Sequence, residues 1–230
     1  MTADGKNNGD KYEEEVIIIF TDEEGCLGRK AKKKGKKWDP SKTFGYGISV
    51  VNEKDMENFG KVTSDYKYKK GIKGEFKARK VDTISKIFMS WKIRRSGAKT
   101  YGKYIDKTKG TPEGWNDKSI EGSELQSEML RQSLESIILK IPSKNIKVII
   151  DRHTAYIEKG GENKLSEISK GLSNETKRNV VCEISTKKYR EQMETNDLVA
   201  HAIHDRKQEH NPIASIIMGQ KIESSEKTVT

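Results

Sequence analysis

The chain has 230 residues, of which 32% are hydrophobic, 45 are lysine or arginine and 35 are aspartate or glutamate, which leaves a net charge of +10. This length and apolar content are sufficient for one large domain with a packed core. The positive surplus favours contact with a polyanion such as nucleic acid, and no apolar stretch approaches the roughly 20 residues that cross a bilayer, so no membrane segment is expected.

Both ends of the chain are predicted to lie outside the core. Residues 1–12 are polar and predicted to be disordered; they lack the apolar segment of a signal peptide, so we expect a cytoplasmic protein. Residues 13–212 are predicted to form one domain, followed by a polar tail over residues 213–230. Cys26 and Cys182 lack the paired spacing of a zinc site, and both are expected to be reduced thiols.

The first predicted element is a strand over residues 15–21 that ends at Asp22, Glu23 and Glu24. A short run of β-branched residues closed by a turn signal predicts a buried central strand. Open α/β sheets bind ligands at the carboxyl ends of such strands, which makes Asp22 the first candidate for chemistry. The three acids could also be solvated turn residues.

A strongly basic loop, residues 29–37, follows this turn. Its seven cations and the aromatic residue after it are Arg29, Lys30, Lys32, Lys33, Lys34, Lys36, Lys37 and Trp38. The loop could simply be mobile and solvated. If nucleic acid is the substrate, the cations are predicted to track phosphates and Trp38 to stack on a base.

Two strands and a helix are predicted next. Residues 43–51 are predicted to pair with the first strand as a hairpin, and a weaker third strand is predicted within residues 59–68. The helix is predicted from four apolar residues whose three-to-four spacing predicts a buried face, namely Ile84, Ile87, Phe88 and Trp91. Glu75 is placed at or just before the start of this helix, where the helix dipole alone would favour an acid.

The second half of the chain alternates strands and helices. The predicted elements are a strand over residues 98–106, a helix over 123–139, a strand over 146–150, a helix over 165–177 and a strand over 179–184. The first helix has a predicted core stripe of Leu125, Met129, Leu130, Leu134, Ile137 and Ile138. The strand over 146–150 repeats the opening pattern, since its apolar run delivers Asp151 at its carboxyl end.

The last predicted helix, residues 189–209, has one polar side and one apolar side. At 100° per residue the polar side carries Asp197, His201, His204 and Asp205. The neighbouring face carries Leu198, Val199, Ala202 and Ile203 and is expected to pack on the sheet.

Four acids from distant parts of this predicted mixed sheet could meet only through the fold. They are Asp22, Glu75, Asp151 and Asp197, separated by 53, 76 and 46 positions. If they converge, their mutual repulsion calls for cations, and oxygen ligands select Mg²⁺ or Mn²⁺. Two such ions could clamp the attacking water and the leaving oxygen of a phosphodiester, which is nuclease chemistry.

Five short motifs occur in a specific order over about residues 15–210. They are Asp22-Glu23-Glu24-Gly25, Glu75-Phe76-Lys77, Tyr104-Ile105-Asp106-Lys107, Ile149-Ile150-Asp151 and Asn196-Asp197-Leu198-Val199-Ala200. Together they resemble a prokaryotic family of domains of unknown function that is similar to the RNase H-like superfamily. Glu24 stands where that family commonly has serine, and Glu194 and Asn196 stand where it has glutamine and alanine, which adds negative charge near the site.

The resemblance implies an α/β fold with an RNase H-like mixed β-sheet, in which antiparallel strands open the chain, helices and strands then alternate, and helices flank the sheet. It also implies that Asp22, Glu75, Asp151 and Asp197 are the catalytic ligands of two Mg²⁺ or Mn²⁺ ions. One alternative stays open. In the usual topology the strand after the first helix lies next to strand one, and here that strand ends in Asp106, which therefore rivals Asp151.

Several roles and functions remain alternatives. Lys77 could contact substrate phosphate or pair with an acid. His153, His201 and His204 could assist proton transfer or be surface histidines, and they lack a four-ligand zinc pattern.

The predicted function is a metal-dependent nuclease. Its alternatives are a non-catalytic nucleic-acid-binding module on the same fold and a protein-interaction component whose charge serves solubility. The sequence leaves the oligomeric state and the choice of DNA, RNA or hybrid open, although a resolvase-type function would require a homodimer.

Overall fold

The structure, a computed structural model, describes residues 15–25, 43–106, 122–151, 161–207 and 213–224. Residues 1–12, the basic loop 29–37 with Trp38, Cys26 and His153 lie outside the described residues. Cys182 is a free thiol, and burial raises its pKa to about 12. No helix in the described ranges is long and apolar enough to span a bilayer.

Six strands form one mixed sheet. They are β1 Val16–Gly25, β2 Thr43–Asn52, β3 Lys99–Asp106, β4 Asn145–Ile150, β5 Asn179–Ile184 and β6 Lys221–Ser224, in the order β5-β4-β1-β2-β3-β6. The first three strands form an antiparallel meander, which confirms the predicted opening hairpin. β4 pairs parallel with β1, and β5 and β6 pair parallel with β4 and β3.

Helices cover both faces of this sheet. They are α1 Met56–Lys70, α2 Thr83–Arg95, α3 Gly122–Ile138, α4 Gly161–Thr176, α5 Arg190–Lys207 and α6 Ile213–Met218. The predicted core stripe of α3 is buried from Met129 to Ile138, and so are the four predicted apolar residues of α5.

The alternation of side chains along β1 divides the core into two clusters. Ile17 and Ile19 pack with α3 and α4 on one face. Ile18 and Phe20 pack with α1 and α5 on the other face. Because the period is two residues, Asp22 continues the face of Ile18 and Phe20. The first predicted acid therefore lies on the side of the sheet that α5 covers.

The predicted third strand within residues 59–68 is wrong, because this segment is part of α1. Phe59 and Val62 are buried and Tyr66 packs against the same cluster, so the apolar residues follow a helical period rather than alternation. The helix ends at Gly71, which adopts a left-handed conformation with φ of 65°.

The predicted start and buried face of α2 are also wrong. Asp82 caps this helix by accepting a hydrogen bond from the Ser85 N–H at 2.9 Å, so Glu75 lies well before the helix and gains nothing from its dipole. The residues that α2 buries are Met89, Ser90 and Ile93. Ile84, Phe88 and Trp91 are instead 80%, 52% and 45% exposed.

The predicted polar tail is wrong for residues 213–224, which form α6 and β6. β6 extends the sheet by pairing with β3. The Gln220 side-chain amide, buried between them and α5, donates to the carbonyl oxygens of Tyr101 at 3.3 Å and Val199 at 3.0 Å. Polar composition misled the prediction because β6 is a short edge strand that needs few apolar residues.

Candidate active site

The four predicted acids line one cleft of about 390 Å³ at the carboxyl ends of β1 and β4. Its lining comprises Asp22, Glu75, Phe76, Lys77, Asp151, Ser185, Thr186, Lys187, Arg190, Met193, Glu194 and Asp197. Four side chains that are distant in sequence thus share one concave site. Their role as catalytic ligands remains a prediction.

The parallel pairing of β1 and β4 places Asp22 beside Asp151. Thr21 is in register with Ile150, and the Asp151 N–H donates to the Thr21 carbonyl oxygen at 3.3 Å. The rival, Asp106, ends β3, which β2 separates from β1. The strand order therefore favours Asp151 as the partner of Asp22.

Helix α5 packs close to the sheet beside Asp22 because the β2 residue that pairs with Asp22 is a glycine. Gly47 is the β2 partner of Asp22, and a Cβ at Gly47 would lie 2.3 Å from the Cα of Ala200. The buried Asn196 side chain fixes this approach, since its Oδ1 accepts from Ser49 Oγ at 2.6 Å and its Nδ2 donates to the Gly47 carbonyl oxygen at 3.1 Å. Asn196 therefore positions the helix that carries the next residue, Asp197.

Asp197 is held by the segment between α1 and α2. Its Oδ2 accepts a hydrogen bond from the Ala78 N–H at 2.7 Å. Phe76 and Ala78 anchor this segment because both are buried in the core. Glu75 differs from the other acids, since its side chain is 57% exposed and lies 2.7 Å from the Lys77 ammonium.

Asp22, Asp151 and Asp197 are the inner carboxylates of the cleft, and the charges of the last two repel that of Asp22. Burial raises the pKa of Asp22 well above its usual range, and the charges of Asp151 and Asp197 raise it further. Burial also raises the pKa of Asp197, although the Ala78 N–H and Lys77 act in the opposite direction. Without a cation, the cleft therefore favours the protonated forms of Asp22 and Asp197 more than water does.

The departures from the family pattern place two acids near the cleft, and each has a basic side chain close to it. Buried Glu194 lies 2.7 Å from the Lys67 ammonium and 3.2 Å from Arg190 Nε. Glu24 lies 3.6 Å from His201 Nδ1. After burial, the charge of Glu24 is among the causes that raise the pKa of Asp22 and of Asp197, so this departure adds negative charge near the site.

Glu23 gives a pH dependence that can be measured. Burial, with the Asp151 charge second, raises its pKa to about 7, and the Gln126 amide donates to Glu23 Oε2 at 3.2 Å. The folded protein keeps this proton up to about pH 7, whereas the unfolded chain releases it near its ordinary value of 4.5. The free energy of unfolding therefore falls as pH rises through this window, by at most about 1.4 kcal/mol per pH unit.

We expect Glu23→Gln to gain stability over the wild type as pH rises from about 5 to 8. Urea unfolding of both proteins in chelator measures this difference. Parallel stability curves would contradict the shifted pKa.

Two cations at the cleft were missed by the sequence reasoning. Lys187 and Arg190 follow β5, whose carboxyl end lies beside that of β4. The sequence carried only part of the signal: Lys187 follows the predicted strand over residues 179–184, but the parallel pairing of β5 with β4 is what brings it near Asp151. Among the predicted cations only Lys77 lies at the cleft within the described residues. His201 lies beside Glu24, and the structure does not describe the His204 side chain.

The chemistry of the inner acids fits a hard divalent cation. Asp22, Asp151 and Asp197 supply oxygen donors, and the pKa of Asp22 is raised by burial first and then by repulsion from neighbouring carboxylates, which a cation would offset. In the part of the chain that the structure describes, no group of three or more acidic, histidine or cysteine side chains already stands in metal-binding geometry. The carboxylates would therefore have to draw together around an ion.

Ribonucleases are among the solved structures that are similar to this chain. The crystal structure of ribonuclease H2 from Pyrococcus horikoshii OT3 matches with a TM-score of 0.55 and 18% identity, over 84% of this chain and 74% of that chain. The structure of the PCNA:RNase HII complex from Archaeoglobus fulgidus matches with a TM-score of 0.48 and 14% identity, over 85% and 75%. The match to the Pyrococcus horikoshii enzyme shows that the chain has an RNase H-like fold. No protein-family profile and no curated protein sequence matches it, so membership of a particular family stays a prediction.

Proposed function

We propose that this chain is a divalent-metal-dependent nuclease that hydrolyses phosphodiester bonds of nucleic acid. The supporting observation is the convergence of Asp22, Asp151 and Asp197 in one cleft of an RNase H-like fold. The cations Lys77, Lys187 and Arg190 line the same cleft. An acidic floor with a basic rim suits a phosphodiester that must be bound and attacked at one place.

Each group of the cleft has a separate part in this proposal. Asp22, Asp151, Asp197 and the outer Glu75 would hold two Mg²⁺ or Mn²⁺ ions, which supply an activated water and stabilise the leaving oxygen when bound. The guanidinium of Arg190 and the ammonium of Lys187 would bind non-bridging phosphate oxygens through charge-assisted hydrogen bonds. Lys77 would exchange its contact with Glu75 for a phosphate when substrate enters.

A cleavage panel tests this proposal. Labelled RNA, DNA and RNA–DNA hybrid are each incubated with protein in Mg²⁺, Mn²⁺ or EDTA. The match to ribonuclease H2 makes RNA and hybrid essential members of the panel. We expect cleavage of at least one substrate with metal and none in EDTA. Pure folded protein that cuts nothing in the panel would refute the proposal.

The alternative function is a nucleic-acid-binding module without catalysis. The ion pair between Glu75 and Lys77 favours it, because there an acid and a cation of the cleft neutralise each other. This alternative predicts binding without cleavage, with an affinity that falls steeply as salt rises. Binding that is insensitive to salt, or no binding, would exclude it.

A further inference from the structure

Helix α2 presents large apolar side chains to solvent along one stripe. Ile84, Phe88 and Trp91 lie at three-to-four spacing and are 80%, 52% and 45% exposed. The rings of Phe88 and Trp91 stack with their centroids 6.2 Å apart and an interplanar angle of 26°. Met89 and Ile93 already bury the opposite face of α2, so the stripe is not needed for the core.

A cation lies over each of these two rings. The Arg95 guanidinium lies 4.5 Å from the centre of the Trp91 ring, and the Lys92 ammonium lies 5.4 Å from that of Phe88. Such contacts stabilise an exposed helix only slightly. Because both cations lie over the rings, a base that stacks on Phe88 or Trp91 has to displace them, and the displaced cation stays close enough to bind the phosphate of that nucleotide.

The surrounding segment is the described part of the chain where positive charge is concentrated. Residues 56–96 contain twelve lysine or arginine residues and four acidic ones. Within α2 itself there are four basic residues and no acid; the basic ones are Lys86, Lys92, Arg94 and Arg95. This charge disfavours a basic protein partner and favours a polyanion.

The route from the cleft to this stripe is basic as well. Lys77 lines the cleft, and Arg79 and Lys80 follow it as exposed residues before α2 begins at Thr83. A strand that leaves the cleft along this segment would meet cations up to α2 and then two exposed rings.

We propose that the outer face of α2 is a second nucleic-acid site, which binds an unpaired strand by stacking bases on Phe88 and Trp91. Arg94 and Arg95 contact its phosphates. Stacking on a ring face requires bases that are not enclosed in a duplex, so the preferred ligand is single-stranded. The site concerns binding alone and does not depend on cleavage in the cleft.

The test measures binding in EDTA, where cleavage is absent whether or not the protein is a nuclease. The probe is a fluorescein-labelled oligothymidylate of about 15 nucleotides, followed by anisotropy. Phe88→Ala and Trp91→Ala are each expected to weaken binding about tenfold, whereas Trp91→Phe keeps a ring and is expected to stay within about threefold of the wild type. Leu139→Ala, which removes a 55% exposed apolar side chain after α3, is the matched control and should bind as the wild type does.

A second variant distinguishes the contribution of base stacking from that of the phosphate contacts. Arg94→Gln with Arg95→Gln is expected to reduce the steepness of log affinity against log salt by about 1.4, because each phosphate contact on a single strand contributes about 0.7, while Trp91→Ala leaves the slope unchanged. Circular dichroism confirms that the variants are folded. The proposal is overturned if the wild type does not bind the probe, or if the Phe88→Ala Trp91→Ala double variant binds it as tightly. It is also overturned if the double variant only converts a dimer to a monomer with strand binding unchanged, because the stripe would then be a protein contact.

Discussion

Asp22→Asn is expected to lower metal-dependent cleavage at least about 100-fold. Removing even an outer partner of a metal ligand typically costs 10- to 100-fold in activity or metal affinity, and Asp22 is predicted to be a ligand itself. The substitution keeps the size of the side chain and removes its charge. Steady-state cleavage of the best substrate in Mg²⁺, with both proteins purified identically, measures the effect.

The same variant is expected to be more stable than the wild type in EDTA. Burial and then four neighbouring carboxylates disfavour the charged form of Asp22, so a neutral amide removes the cost of desolvation and repulsion that the metal-free protein bears. A gain of about 1 kcal/mol would raise Tm by about 2–4 °C for a domain of this size. Added Mg²⁺ should then stabilise the wild type more than the variant, because ligand binding stabilises the folded state.

Glu167→Gln is the matched control for Asp22→Asn. Glu167 is an exposed acid on α4, which packs on the opposite face of the sheet from the cleft. Its loss should change neither cleavage nor the response to Mg²⁺. If wild type and Asp22→Asn cut equally, the activity belongs to a contaminant. If the variant is less stable than the wild type in EDTA, the repulsion inferred for the cleft is wrong.

Gly47→Ala is expected to destabilise the protein by about 3 kcal/mol and to reduce cleavage about 100-fold, although Gly47 has no chemistry of its own. The new Cβ would lie 2.3 Å from the Cα and 2.4 Å from the backbone nitrogen of Ala200. Overpacking of this kind costs about 1–3 kcal/mol, and a shift of about 1 Å in a catalytic group can cost 10²-fold. Since α5 must move away from β2, Asp197 moves away from Asp22.

Two further substitutions isolate this cause. Gly171→Ala, within α4, places its Cβ 3.7 Å from the nearest atom and is expected to raise stability by about 0.5–1 kcal/mol. Ala200→Gly should not rescue Gly47→Ala, because the closest atoms belong to the backbone. Urea unfolding and the cleavage rate give both readouts. If Gly47→Ala has near-normal stability and activity, the close packing of α5 on β2 is not needed for either.

Local patterns in the sequence predicted the parts of the fold in which one segment determines its own environment. The Ile-rich run of β1, the repeat of that pattern in β4 and the apolar stripe of α3 belong to this group. Segments whose environment depends on distant neighbours were predicted wrongly. The apolar side chains Ile84, Phe88 and Trp91 have helical spacing, but Met89 and Ile93 are the ones that face the core.

The candidate site, too, could be predicted from the sequence only in part. Asp22 and Asp151 could be placed in one crevice because carboxyl ends of strands are recognisable in sequence, and only the pairing of β4 with β1 could separate Asp151 from Asp106. The contacts of Asn196 with Ser49 and Gly47 could not be predicted, because each joins residues on elements that meet only in the folded chain. Such contacts depend on shape rather than on any local motif.

The position of the acids along the chain has a consequence for protein synthesis. Asp22 lies in the first strand and Asp197 in α5, 175 positions later. A nascent chain on the ribosome can therefore pair β1 with β2 early, yet it cannot assemble the acid cluster until α5 has emerged and docked on that hairpin. The proposed active site is therefore absent while the segment from β1 to β5 is being synthesised.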